Sequence, residues 1–184
     1  GSFSMIASLL TIYEKFLKKN DKFILSKAHA SFPLCILLKE KGLNPKIKTH
    51  LEIDIKNGIN CTTGSLGHGL PIATGMAFAR KKQKIKGNIF VMISDGECQE
   101  GTTWESLLIA AKHKLDNLII VVDYNKLQAL STIEEEYLGV LFGFMDADSN
   151  GLLNASEFPE FYYALDSEED EGDMGGDDGE ETEM

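Results

Sequence analysis

Cysteine is scarce in this chain: Cys35, Cys61 and Cys98 are the only three in 184 residues, and no two form a CxxC pair. An odd count without metal-binding spacing, in a chain this long, points to a reducing, cytoplasmic compartment. Long apolar runs are also lacking. None approaches the roughly 20 residues that span a bilayer, and no signal-peptide pattern opens the chain. Position 1 is not Met; Gly1-Ser2 fits either a cloning remnant or a cut from something longer. Positive charge is in short supply: 18 Lys and Arg face 29 Asp and Glu, a formal charge of −11. Eleven of those acids lie in residues 166–184, which hold no Lys or Arg, so the other 18 balance the 18 bases. A neutral body with an acidic tail offers nothing to neutralise nucleic-acid phosphates or an anionic membrane surface. There is no internal repeat.

What is present is a core-forming body. Hydrophobic residues make up 43% of the chain, enough for one domain with an appendage. Apolar groups at helical spacing predict a helix over residues 5–17, and a break at Asn20-Asp21 precedes a short extended run, Phe23-Ile24-Leu25. Residues 34–41 read as helix and 42–62 as irregular. Glycines Gly64, Gly67 and Gly69 make a turn before a small-residue-rich helix over 70–82. The near-continuous apolar runs 88–93 (NIFVMI) and 118–124 (LIIVVDY) have the pattern of buried parallel strands. With a helix over 104–114 between them they form a βαβ unit, whose crossover is right-handed by rule. Ligands bind such sheets at the carboxyl ends of the strands. Two buried strands by themselves leave open apolar edges, so the sheet is expected to be completed by another chain or to be partly disordered alone.

The first strand runs into Ser94-Asp95-Gly96-Glu97 and the second into Asp123-Tyr124-Asn125. Adjacent parallel strands put Asp95 and Asn125 at one edge of the sheet. Both are oxygen ligands for a hard cation such as Mg²⁺ or Ca²⁺, and Gly96 lets the backbone approach a phosphate. The same residues also serve a turn and a helix cap. His29 alone suits a polar residue at a helix start, His113 lies near a helix end where a cation favours the dipole, and Trp104 reads as packing. Cys98 lies beside the proposed site, with no neighbour that would make it a nucleophile.

Four separated motifs give these residues a context. SKAHA at 26–30, TTGSLGHGL at 62–70 with GMAFA at 75–79, SDGECQEGTTWE at 94–105 and LDNLIIVVDYNKLQ at 115–128 resemble, in order and spacing, the thiamine-diphosphate-binding half of transketolase. The resemblance covers roughly residues 1–135. It implies that Asp95 and Asn125 hold Mg²⁺ or Ca²⁺ with the backbone carbonyl of Leu127. It also implies that Gly96 donates to the diphosphate and that the turn Gly64-Ser65-Leu66 lies against the cofactor. By the same resemblance His29 and His50 are active-site histidines, and Glu100 meets a partner subunit. Ser94 stands where the family usually has Gly, and His68 where it usually has Gln. Within the 184 residues no stretch resembles the later strands of the diphosphate-binding sheet. Nor does any resemble the pyrimidine-binding domain that carries the activating glutamate.

Beyond Leu130 the character changes. Residues 134–145 read as an amphipathic helix, and 146–157 (DADSNGLLNASE) place oxygen ligands at positions 1, 3, 5, 7, 9 and 12 with Gly151 at 6. The ligands are Asp146, Asp148, Asn150, the carbonyl of Leu152, Asn154 and Glu157. This resembles a single EF-hand, with Leu153 as the apolar residue that usually pairs with a neighbouring loop. Pro159 lies in the first turn of the helix that follows, where it is tolerated. The Gly/Asp/Glu-rich end is expected to be disordered.

The expected organisation is therefore three-part: a truncated diphosphate-binding segment (1–133), an EF-hand-like helix–loop–helix (134–165) and an acidic disordered tail (166–184). The fold class is α/β, a partial parallel-sheet thiamine-diphosphate-binding fold. Two functions follow. One is a transketolase-like subunit, inactive as an isolated chain, that transfers two-carbon ketol units between sugar phosphates when a pyrimidine-binding chain or a homo-oligomer completes it. The other is a non-catalytic calcium-binding protein or chimera that retains a transketolase-derived segment.

Overall fold

A six-residue strand, β2 (Ile89–Ser94), is buried along its whole length and organises everything around it. Its side chains alternate between two cores because successive strand residues point to opposite faces. Ile89, Val91 and Ile93 join one core, and Phe90 and Met92 the other. Each such side chain, fully buried, contributes roughly 1.5–3 kcal/mol. The structure, a computed structural model, describes residues 2–125 and a two-residue strand at 153–154.

β1 (Lys22–Leu25) pairs with β2 in parallel, Phe23 beside Phe90 and Leu25 beside Met92. On the other side β3 (Leu118–Asp123) pairs in parallel from Ile89↔Leu118 to Ser94↔Asp123. β4 (Leu153–Asn154) adds an antiparallel edge, Ile119↔Asn154 and Ile120↔Leu153, giving the order β1-β2-β3-β4. The sheet thus has a third parallel strand beyond the two that the sequence pattern makes plain. β1 is only four residues long, too short to show a period, and its partner lies more than sixty residues downstream. The backbone of Leu153 lies opposite Ile120 of β3.

α1 (Ile6–Thr11), which continues as a π-helical turn at Ile12–Phe16, and α2 (Ser31–Glu40) contribute Leu9, Ile12, Leu34 and Leu38 to the core with Phe90 and Met92. α3 (Gly69–Lys82) and α4 (Gly101–Lys112) contribute Leu70, Ala73, Ala77, Leu107 and Ala110 to the core with Val91 and Ile93. The result is three layers, helices on both faces of a mostly parallel sheet, as strands buried on both faces require. Side chains cover the outer edge of β1: Asn60 Nδ2 donates to the Phe23 carbonyl at 2.9 Å and Thr63 Oγ1 to that of Leu25 at 2.8 Å. Strand carbonyls that would otherwise invite another chain are satisfied in this way.

The expected amphipathic helix at 134–145, the calcium loop at 146–157 (apart from the backbone of β4), the acidic tail and the Leu127 carbonyl lie outside the described residues.

Candidate functional site

Parallel pairing places the carboxyl ends of β1, β2 and β3 side by side, so residues 26–30, 95–100 and 124–125 share one edge of the sheet. Three buried acids gather there: Asp95, Glu97 and Asp123. So does one fully buried cation, Lys27. Burying charge is costly unless partners replace water, and the partners at this edge are specific. Lys27 Nζ forms an ion pair with Asp123 Oδ2. Ser4 Oγ donates to the same oxygen at 2.6 Å. The amide of Asn125 donates to Ser4 Oγ at 3.1 Å and to Asp123 Oδ2 at 3.3 Å.

Asp95 opens a short 3₁₀ turn, Asp95–Gln99, directly after β2, and its Oδ1 accepts from the Gly96 amide at 3.0 Å. The first turn of α4 braces this segment. Thr103 Oγ1 donates to the Glu97 carbonyl at 2.6 Å and Trp104 Nε1 to that of Cys98 at 2.8 Å. Trp104 is thus more than packing. Burial, reinforced by the charges of Asp95 and Glu97, pushes the Cys98 thiol up to about 12. That leaves it protonated and without nucleophilic character at neutral pH.

The turn at 64–67 reaches the same edge. An antiparallel bridge pairs Leu51 with Thr63 and so brings His50 beside Gly64. A Cβ on Gly64 would stand 3.0 Å from His50 Cγ. Gly64, Ser65 and Leu66 are exposed, whereas Gly67 is buried with φ +73°. A side chain at Gly67 would meet Glu100 Cβ at 2.7 Å and Thr102 Oγ1 at 2.6 Å, so only glycine fits. Glu100 itself is exposed, immediately before α4. His29 is exposed at the mouth of the site. Partial burial of its ring, then the positive charge of Lys27, hold the imidazole below the usual histidine range, against the opposing pull of Glu97 and Asp123.

The structure therefore brings together His29, His50, the turn Gly64-Ser65-Leu66, Asp95, Gly96, Glu100 and Asn125 on one edge. Sequence reasoning did not single out Lys27, Glu97 or Asp123. The signal available was their position at, or a few residues beyond, the carboxyl end of a strand.

Asp95 and Asn125 supply one carboxylate and one amide, and no group of three or more His, Cys, Asp or Glu among the described residues could hold a metal ion. Such a set cannot cage an ion alone. It suits a hard cation that arrives with phosphate oxygens, the usual manner of Mg²⁺ binding. The residues present fit a metal–diphosphate group.

An open, mostly parallel α/β sheet with buried acids gathered at its carboxyl edge is the class of protein these features define. Residues 11–137 match the family model described as transketolase, thiamine diphosphate binding domain, and the chain belongs to that family. It is 43% identical over 122 residues to one of the subunits of an apulose-4-phosphate transketolase of Actinobacillus succinogenes, covering 60% of this chain and 44% of the relative. It is 34% identical over 149 residues to a 6-deoxy-6-sulfo-D-fructose transketolase subunit of a Clostridium species, covering 70% and 54%. The chain thus spans about half the length of these curated relatives. Its fold is similar to transketolase from Campylobacter jejuni, with a TM-score of 0.59 at 26% identity, covering 88% of this chain and 30% of that one.

Proposed function

We propose that this chain is the thiamine diphosphate- and metal-binding part of a transketolase that transfers two-carbon ketol units between sugar phosphates and works with a pyrimidine-binding chain. The observation that carries this reading is the buried Asp95 at the end of β2, on the same sheet edge as Asn125 and the 64–67 turn, in a chain of this family. The names of the relatives support an enzyme of more than one chain, since those from Actinobacillus succinogenes and the Clostridium species are each named as a subunit of a transketolase.

In this reading Asp95, Asn125 and the Leu127 carbonyl hold Mg²⁺ or Ca²⁺, and Gly96 donates its amide to the diphosphate. The turn Gly64-Ser65-Leu66 lies along the cofactor. When bound, the cofactor supplies the carbanion-stabilising chemistry, and the protein binds and orients it. His29 and His50 stand at the mouth, where their ring nitrogens can hydrogen-bond to a polyhydroxylated phosphate substrate. The lowered His29 pKa keeps that ring neutral near pH 7. Glu100 is exposed and so is available to the partner chain.

The test is calorimetric titration of thiamine diphosphate with Mg²⁺ into the chain and its Asp95→Ala variant. Saturable binding that the variant abolishes is the expected result. Unchanged affinity in the variant would reject the assignment of Asp95. No binding by the parent chain, with or without its partner, would reject the function.

The full set of oxygen ligands at 146–157 favours a second activity, calcium binding by that loop. Three carboxylates, Asp146, Asp148 and Glu157, with Asn150, Asn154 and the Leu152 carbonyl suit the six to eight oxygens Ca²⁺ accepts. Glu157→Gln in the full chain should weaken saturable Ca²⁺ binding at least tenfold, about 1.4 kcal/mol. Equal binding would make the loop a plain acidic turn.

A further inference from the structure

Glu97 is a fully buried carboxylate to which the proposed function gives no role. Among the described residues no lysine, arginine or histidine forms an ion pair with it. Its charge is instead met by donors from three separate segments. On Oε1 it accepts from Ser26 Oγ, after β1, and from the Gly67 amide at 3.0 Å. On Oε2 it accepts from the Ser94 amide at 2.9 Å and Ser94 Oγ at 3.3 Å. Ser26 Oγ also accepts from the Gly69 amide at 3.2 Å, which extends the link to the start of α3.

A fold that needed only packing at this position would do as well with an apolar side chain, because burying a carboxylate costs more than it returns unless every lone pair is used. What two carboxylate oxygens do, and an apolar group cannot, is hold two backbone amides at a fixed separation. Here those amides belong to Gly67, which closes the 64–67 turn, and to Ser94, which precedes Asp95 and Gly96. We infer that Glu97 is a positioning residue that fixes the spacing between the 64–67 turn and the 94–96 loop, so that both sides of the diphosphate–metal site are preformed. The inference rests on the proposed function for its ligand, but the latch itself is a property of the chain. Preorganised polar loops bind more tightly because the ordering cost is met before the ligand arrives.

The experiment uses the full chain with thiamine diphosphate in saturating Mg²⁺. Binding is read by quenching of Trp104, the only tryptophan, whose indole is bonded to the same loop at Cys98. Hydrogen exchange of the Gly67 and Ser94 amides is followed in parallel. Glu97→Gln keeps the size but replaces one acceptor oxygen with a donor, so one of the two loops loses its acceptor. Affinity should fall at least tenfold, and the Gly67 or Ser94 amide should exchange faster, while thermal unfolding remains cooperative. A folded variant with parental affinity and parental exchange at both amides overturns the inference. Should Glu97→Gln not fold, Glu97→Asp keeps the charge and shortens the reach, and the same two readouts decide. If the parent chain binds no thiamine diphosphate, with or without its partner, the proposed function fails, and amide exchange alone then decides for or against the latch.

Discussion

The two ends of the sheet use the same chemistry in opposite settings. At the carboxyl end Lys27 pairs with Asp123, their side chains 1% and 7% exposed. At the amino end Lys81 pairs with Asp116, 2.7 Å apart and 39% and 84% exposed. The exposed pair joins the end of α3 to the turn before β3 and forfeits little hydration. The buried pair has given up its water, and Ser4 and Asn125 make up part of the difference. A protein does not need buried ions to stabilise a sheet of this kind. Their concentration at the carboxyl end coincides with the proposed cofactor site, whereas the pair at the opposite end stays in solvent.

The largest break in this comparison comes from removing one ion from each pair. Lys27→Met should destabilise the chain by about 3–5 kcal/mol, because Asp123 is left charged and buried. Lys81→Met should cost less than about 1 kcal/mol, as exposed pairs do. Urea unfolding of the two variants measures both. If they lose similar amounts, the Lys27 site is more hydrated than its burial indicates.

A second pair of substitutions sharpens the contrast through the backbone. Gly87, at the amino end just before β2, has φ +110°, and a Cβ there would press on the backbone of Asn20 and lie 2.9 Å from Arg80 Nη1. Gly67, at the carboxyl end, would press on Glu100 and Thr102. Both alanine variants should lose about 1–3 kcal/mol of stability, the usual range for strained backbone positions. Only Gly67→Ala should also weaken thiamine diphosphate binding, because only it displaces the turn that Glu97 holds. Equal effects of both on binding would mean that the loss is general loosening and not a local change at the site.

Much of the architecture is legible in the sequence, and what is not has identifiable reasons. The runs at 88–93 and 118–124 announce β2 and β3 because strands buried on both faces are apolar throughout. Four motifs fix which loops meet at the carboxyl edge. The pairing of β1 is a contact across the chain that a four-residue run cannot signal. Lys27, Glu97 and Asp123 are hidden for a different reason. A charged residue in a sequence reads as a solvated one, and only the fold shows that these three are buried and which groups stand in for their water. His50 and Gly64 meet through the Leu51–Thr63 bridge inside a stretch that reads as irregular, so their contact has no periodic trace.

The smallest expected effect is the pH response of His29. Burial and the charge of Lys27 lower its pKa in the folded chain below the ordinary 6.5, with Glu97 and Asp123 opposing. In the unfolded chain it titrates near that ordinary value. Above both values the ring is neutral in either state and contributes nothing to pH dependence. As pH falls below the unfolded value, the unfolded chain takes up a proton that the folded chain still refuses, so stability declines. The decline ends once pH passes the folded pKa. His29→Gln should therefore flatten the stability profile slightly on the acid side of about 6.5 and leave it unchanged above about pH 8. His29 is exposed at the mouth of the site, so solvent screens much of the effect. The sharper readout is an NMR titration of its ring. Lys27→Met removes one of the three lowering influences, the others being burial and the amino-terminal charge, and the His29 pKa should move up in that variant. A His29 pKa that stays put when Lys27 is removed would show that the buried cation at the carboxyl end does not reach the mouth of the site.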